Sequence, residues 1–416
     1  MLPNYMVPAT FVFLEALPLT ANGKLDRHAL PEPADLHIEK GALPPRDALE
    51  TQLAAIWEKV LNMQPIGITD DFFQLGGHSL LAVRLITEIE RTFGKRLPLS
   101  TLLEMSTVEK LAYKVRHETA PVNWGPLIAI QLQGNGPPFF GVHGSNGNVL
   151  FFRRFSQLLG KKRPFYGVQG QGLDGKPMTR TSVEEIAAYY LEKIREVQSH
   201  GPYLLGGFSF GGVAAYEIAR RLAAMGEEIA LLMLFDTDNP AEPPRVRSWT
   251  RIIRGIVGRV LSRGTTPSRV LQFLAQHIRG KMGDDLLRWN DRLHALGIGR
   301  TATGTRKSAA ERLDLHVQMV HQRAFFAYKP LPYRGKITLI RAIDQPSGYD
   351  IDPDLGWNTV AQGGVEVHYV PGTHATIFSD ENVPILARKV QECIREALIG
   401  KASLIGKVVG TDRRAC

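Results

Sequence analysis

Residues 203–223 constrain this chain more than any other stretch. Tyr203-Leu204-Leu205 is a short apolar run, and Gly207-Phe208-Ser209-Phe210-Gly211 follows as Gly-x-Ser-x-Gly. Ala215, Ile218, Ala219 and Leu222 then recur at helical spacing. Strand, sharp turn and helix in that order lift a serine above the end of a sheet, its hydroxyl exposed over a helix N-terminus. So tight a turn leaves positions 207 and 211 no room for a Cβ, which dictates glycine. The competing account is a Gly-rich turn whose serine merely caps the helix.

With 416 residues the chain is long enough for two or three domains of ~100–200 residues each. Its two cysteines, Cys393 and Cys416, stand far from metal-ligand spacing, so neither a zinc site nor a disulfide framework is expected. That cysteine usage fits a reducing, cytoplasmic setting. Pro3, Pro8 and Pro18 interrupt the apolar N-terminus and no basic residue precedes it, unlike a signal peptide. No apolar run approaches the ~18 residues of a membrane span. The net charge of +9 is concentrated: residues 245–312 hold 15 Lys/Arg against 4 Asp/Glu, and the rest of the chain is slightly acidic. The basic segment lacks aromatic interleaving or a recognition module, so nucleic acid is not an expected partner.

In chain order, residues 1–31 end in Leu19-Thr20-Ala21-Asn22-Gly23-Lys24-Leu25-Asp26-Arg27, with Asn-Gly as a hairpin signal. Residues 32–46 are polar and proline-marked, a linker. Residues 47–117 read as a small all-α bundle. Leu49, Leu53, Ile56, Trp57, Val60 and Leu61 form one helical stripe, Leu80, Leu81, Val83, Ile86 and Ile89 a second, and Val108, Leu111, Ala112 and Val115 a third. Between the first two stands Asp71-x-Phe73-x-Leu75-Gly76-Gly77-His78-Ser79-Leu80, where Ser79 has the position of a helix N-cap. Residues 118–126 are a second linker.

From Leu127 onward apolar runs alternate with helical patterns, which predicts a parallel α/β sheet. The expected strands are 139–142, 164–168, 203–205, 229–235, 337–340 and 365–370. Between 235 and 337 lies a long interval that includes the basic segment. Three apolar groups at helical spacing within it (252–261, 270–278 and 286–296) predict a helical insertion over the functional edge of the sheet.

A serine needs a base held by an acid to become a nucleophile at neutral pH. His374 follows the last predicted strand in Pro371-Gly372-Thr373-His374, where a base belongs. His277, His294, His316 and His321 lie on helical stretches and read as surface or packing residues, and His143 reads as a structural turn histidine. Asp236 and Asp344 both lie just past strand ends, and position alone allows either as the acid; Asp238 reads as a loop residue.

Several of these stretches resemble known families. Residues 1–31 resemble the C-terminal tail of the adenylation domains of non-ribosomal peptide synthetases, with Lys24 at the position of that family's adenylate-contacting lysine; the rest of such a domain is missing. The stretch around Ser79 is similar to the attachment site of peptidyl carrier proteins, which implies covalent 4′-phosphopantetheine on Ser79. Residues 127–400 resemble the thioesterase domains that close non-ribosomal peptide and polyketide assembly lines. The motifs shared are Phe140-Gly141-Val142-His143-Gly144, Gly207–Gly211, Leu234-Phe235-Asp236, Tyr328-x-Pro330-x-Pro332-Tyr333-x-Gly335, Leu355-Gly356-Trp357 and Pro371-Gly372-x-His374.

The resemblance implies a multidomain protein: an all-α carrier bundle and an α/β-hydrolase fold with a helical lid at about 240–325, then a tail at 401–416. It selects Asp236 as the acid, leaving Asp344 as the alternative. It implies an oxyanion hole from the N–H groups of Phe210 and Ser145. The expected function is transfer of a carrier-bound acyl or peptidyl chain to Ser209, then release by hydrolysis or macrocyclisation in secondary-metabolite (antibiotic) biosynthesis. Upstream synthetase modules, a phosphopantetheinyl transferase and an acyl thioester are the implied partners. A carrier fused to a catalytically silent hydrolase fold that only holds acyl chains, or an editing thioesterase, are the alternatives.

Overall fold

The structure, a computed structural model, describes Pro18 and residues 43–95, 97–117, 124–243, 245–246, 309–346 and 349–411. Lys24, most of the two predicted linkers, the three apolar groups of the predicted insertion, His277, His294 and Cys416 lie outside the described residues. The chain divides into two compact units.

The first unit holds α1 (Ala48–Leu61), α2 (Ser79–Phe93) and, beyond the short α3 (Thr101–Glu104), α4 (Val108–His117). Asp47 caps α1 by accepting the N–H groups of Leu49 and Glu50, each at 3.0 Å. Asn62 and Gly94 end α1 and α2 in the left-handed conformation that residues of their kind tolerate. Leu53, Ile56 and Trp57 of α1 are buried as predicted. On α2 the buried face is Ala82, Leu85, Ile86 and Ile89, while Leu81 and Val83 are half-buried. The predicted stripe was thus rotated by about a residue, because alanine carries a weak apolar signal and the run of aliphatics at 80–83 a strong one.

In the second unit, β1 (Leu127–Gln131), β2 (Phe139–Val142), β3 (Phe165–Val168), β4 (Tyr203–Phe208), β5 (Ile229–Phe235), β7 (Ile337–Ala342) and β9 (Val365–Val370) form one sheet in the order β1-β3-β2-β4-β5-β7-β9. All neighbours pair in parallel except β1, which runs antiparallel to β3. The sheet is therefore mixed, where a parallel one was expected. Two-residue strands β6 (Arg245–Val246) and β8 (Tyr349–Asp350) pair separately.

Side chains alternate across the central strands, so their continuous apolar runs serve two cores. Leu205, Leu232 and Leu234 face one core with α6 (Val183–Val197) and α7 (Phe210–Ala224). Leu204, Leu231, Met233 and Phe235 face the other with α5 (Phe152–Leu159) and the start of α9 (Val383–Thr411). Helix α8 (Ala309–Ala327) joins the first core through Ala324. Helix α9 runs on past residue 400, where a tail was expected. Covered on both faces, the sheet leaves the carboxyl ends of its strands as the place where functional groups can gather. Among the described residues no helix is long and apolar enough to cross a membrane, and no cluster of His, Cys, Asp and Glu could hold a metal.

Candidate active site

Ser209 stands between the end of β4 and the start of α7 with φ 55° and ψ −120°. A non-glycine residue held at positive φ is strained, and the surrounding structure must over-determine it. Three contacts do so. A Cβ at Gly207 would overlap the Gly211 carbonyl, and one at Gly211 would overlap the His143 and Val142 carbonyls, so two backbones meet with nothing between them. The Ser209 N–H donates to the Phe235 carbonyl at 3.2 Å, tying the turn to the end of β5. Ser209 is the N-cap residue of α7, yet its side chain makes no capping hydrogen bond. The capping account therefore does not hold.

Asp236 follows β5 at φ 42° and is buried. Its N–H donates to the Ile340 carbonyl at 2.7 Å. One carboxylate oxygen accepts the Ala342 N–H at 2.9 Å and the Gln345 side-chain amide at 3.3 Å. The other accepts Nδ1–H of His374 at 2.8 Å. Because a carboxylate only accepts, Nδ1 carries a proton, and in the neutral imidazole the lone pair is then on Nε2. The loop after Asp236 is pinned by the Leu355-Gly356-Trp357 stretch. Trp357 Nε1 donates to the Thr237 carbonyl at 2.6 Å, and the Asn239 amide to the Gly356 carbonyl at 2.8 Å.

His374 lies in the turn after β9, half exposed, with its ring stacked on Phe208 at 4.8 Å between centroids. Phe208 immediately precedes Ser209, so the imidazole sits over the serine's own turn. Thr373 N–H donates to Thr376 Oγ1 at 2.8 Å and holds the histidine's loop. Asp344, the alternative acid, is exposed and engages the same loop through its N–H to the Gly372 carbonyl at 3.0 Å.

The loop 143–147 follows β2. His143 is fully buried; its Nδ1–H donates to the Gly144 carbonyl, so its Nε2 accepts the Tyr190 hydroxyl at 2.6 Å. Burial holds His143 well below the usual histidine range, hence neutral. In a trans peptide N–H and C=O point opposite ways. With the Gly144 carbonyl turned to His143 and to the Gly147 N–H (3.0 Å), the Ser145 N–H faces away from that buried pair. Phe210 is buried at the first position of α7, where backbone N–H groups lack helical partners.

His321, expected at the surface or in packing, is fully buried and donates Nδ1–H to the Ser145 carbonyl at 2.8 Å. A signal for it existed. Val317, His321, Ala324 and Tyr328 are spaced as one helical stripe, and all four are buried.

In the first unit Ser79 opens α2 behind His78, whose side chain caps nothing, and the first turn holds no acidic residue. Gly76, at φ 88°, has open space around it. This is a helix N-terminus ready for an anion, reached over an exposed loop.

Comparison with known proteins finds relatives for both units. The model of the thioesterase domain matches residues 137–250, and that of the phosphopantetheine attachment site residues 51–113. Malpinin synthetase of Mortierella alpina is 44% identical over 239 residues, covering 57% of this chain and 3% of its own length. A dimodular nonribosomal peptide synthase of Bacillus subtilis is 31% identical over 399 residues, covering 94% of this chain and 16% of its own. A solved four-domain nonribosomal peptide synthetase, bound to AMP and glycine, superposes with a TM-score of 0.52 at 29% identity, over 94% of this chain and 29% of its own. The chain thus spans less than a third of the length of each.

Proposed function

This chain is a carrier domain and a thioesterase domain of the non-ribosomal peptide synthetase kind, and from that premise we propose that it releases acyl or peptidyl chains through Ser209, His374 and Asp236. The hydrogen bond from His374 to Asp236, beside a serine held at positive φ, carries this assignment.

Residues 76–79 suit phosphopantetheine. The uncapped start of α2 offers its N–H groups to the phosphodiester, and no carboxylate stands in the first turn to repel it. When attached to Ser79, that group supplies the thiol on which a substrate is presented as a thioester.

At the thioesterase, His374 Nε2 takes the Ser209 proton as Oγ attacks the substrate's carbonyl carbon. Charge develops on the carbonyl oxygen, and the N–H groups of Phe210 and Ser145 are the proposed donors to it. His374 then protonates the departing thiol as the C–S bond breaks, leaving an ester on Ser209. Asp236 steadies the imidazolium in between. In the second half His374 deprotonates water, which gives a free acid, or an internal amine or hydroxyl, which gives a ring. The proton then returns to Ser209 Oγ.

The carrier is assigned to 47–117 and the thioesterase to 127–400, with a lid at about 240–325. Upstream modules would load the substrate and a phosphopantetheinyl transferase would modify Ser79, in a cytoplasmic setting. The test is release from the chain loaded with an acyl-phosphopantetheine by a promiscuous transferase, followed by intact-protein mass. Loss of release in Ser209→Ala supports the proposal; equal release from both proteins would leave a silent hydrolase fold.

A further inference from the structure

His321 lies apart from the three residues assigned to proton transfer, yet touches both segments that carry the proposed oxyanion donors. Its Nδ1–H donates to the Ser145 carbonyl at 2.8 Å. Its ring stacks on Phe210 with centroids 4.4 Å apart and an angle of 22°. One turn earlier on α8, Val317 closes over Gly147 of the same loop: a Cβ there would stand 3.1 Å from Val317 Cγ1. His143 packs against His321 at 4.8 Å between centroids and holds the preceding carbonyl, that of Gly144. Two successive carbonyls of one loop are thus each held by a buried histidine.

We propose that His321 is a positioning residue for the oxyanion hole, fixing the Ser145 carbonyl, on the peptide next to the donor N–H, and the Phe210 turn relative to each other. The proposal rests on the assignment of Phe210 and Ser145 as donors. The loop 143–147 contains two glycines, and backbone freedom there would let the Ser145 N–H swing off its target. His143 holds the peptide that carries this N–H through the Gly144 carbonyl, and the hydrogen bond from His321 to the next carbonyl limits rotation on its other side before substrate arrives, which is what electrostatic preorganisation requires. Burial pushes His321 down to about 4, so through the neutral range it serves as a neutral donor that adds no charge beside the developing oxyanion.

The experiment uses the whole chain and a short acyl-pantetheine thioester, with affinity for an alkyl boronic acid as a second readout. The boronate forms a tetrahedral adduct on the serine and needs the oxyanion hole. His321→Phe keeps a ring against Phe210 and loses the N–H. Its kcat is expected to fall about tenfold to a hundredfold, less than for outright loss of a donor, with KM within about twofold and boronate affinity falling in parallel with kcat. His321→Asn, whose amide nitrogen falls near the place of Nδ1, is expected to recover most of the loss. Wild-type kcat and boronate affinity in His321→Phe would overturn the proposal, as would an equal loss in the Asn and Phe variants, which would mean packing alone. If His321→Phe lacks a cooperative melt, Asn is compared with His321→Gln, whose amide reaches the Nε2 position: Asn above Gln supports the role, and equality overturns it. Ser209→Ala, run alongside, separates the two levels. If it turns over normally, the catalytic assignment fails and takes this proposal with it; if it is silent while His321→Phe is fully active, only the positioning role fails.

Discussion

Asp236→Asn changes one atom and should disable the site by reversing a hydrogen bond. The carboxylate oxygen that accepts the Ala342 N–H at 2.9 Å and the Gln345 amide at 3.3 Å must remain an acceptor, so the asparagine carbonyl takes that side. Its NH2 then points at His374 Nδ1, where the acid now sits at 2.8 Å. Two donors cannot face each other, so His374 shifts its proton to Nε2 and becomes an acceptor at Nδ1. The nitrogen that should take the Ser209 proton is then already protonated. The analogous change in serine proteases costs about 10⁴ in kcat, and ~10³–10⁴ is expected here, roughly 4–5.5 kcal/mol at 1.36 kcal/mol per tenfold. The fold keeps the Ala342 contact, so the melting temperature should barely move. Acyl-pantetheine hydrolysis under single-turnover conditions measures the effect, and Asp344→Asn is the control, expected to stay near wild type. A kcat for Asp236→Asn within about tenfold of wild type, or a collapse in Asp344→Asn instead, would refute the tautomer argument.

Three further outcomes are expected. Ser79→Ala should abolish the mass gain on treatment with a phosphopantetheinyl transferase while leaving hydrolysis of free acyl-pantetheine intact; a persisting gain would place the attachment elsewhere. Gly211→Ala drives a methyl into the His143 and Val142 carbonyls and should cost about 3 kcal/mol or more, read as a melting point lower by roughly 10 °C; an unchanged melt would show that the start of α7 can move off the end of β2. Burial lowers His321 from 6.5 to about 4, so between those values the unfolded chain binds the extra proton. The associated stability is complete above 6.5 and lost as pH falls toward 4, about 3 kcal/mol for His321, with His143 acting in the same direction. His321→Phe should flatten this acid limb in urea titrations at fixed ionic strength, and an unchanged limb would contradict the assigned burial.

What the sequence made legible was local. The strands at 139–142, 229–235 and 365–370 match the structure at both ends: the first two are apolar runs that end at a histidine or an aspartate, and the third, half-buried, alternates Val365 and Val367 with Glu366 and His368 between Gly364 and Pro371. Gly207 and Gly211 were readable because a missing Cβ has one steric meaning in that turn. Strand β1 is not among the expected strands, and its direction is not legible either, since Leu127–Gln131 has the same character whichever way it pairs, and its partner β3 is set by the whole sheet. Position left Asp236 and Asp344 tied, because each follows a strand end. Only the fold supplies the hydrogen bond from His374. His321 reads as a surface or packing residue and it packs, on Phe210; its stripe marks a buried face, but nothing local reveals that a carbonyl 176 residues away waits there.

The turns that bear Ser209, Asp236 and His374 are linked by main-chain bridges: Ser209 N–H to Phe235, Asp236 N–H to Ile340, Ile343 N–H to Val370 and Asp344 N–H to Gly372. Such a ladder makes the gaps between reacting groups a matter of interstrand pitch, blind to which side chains are mounted on the rungs. A cysteine or another nucleophile installed at 209 would therefore inherit the same address, so new chemistry can be tried on this frame without rebuilding it.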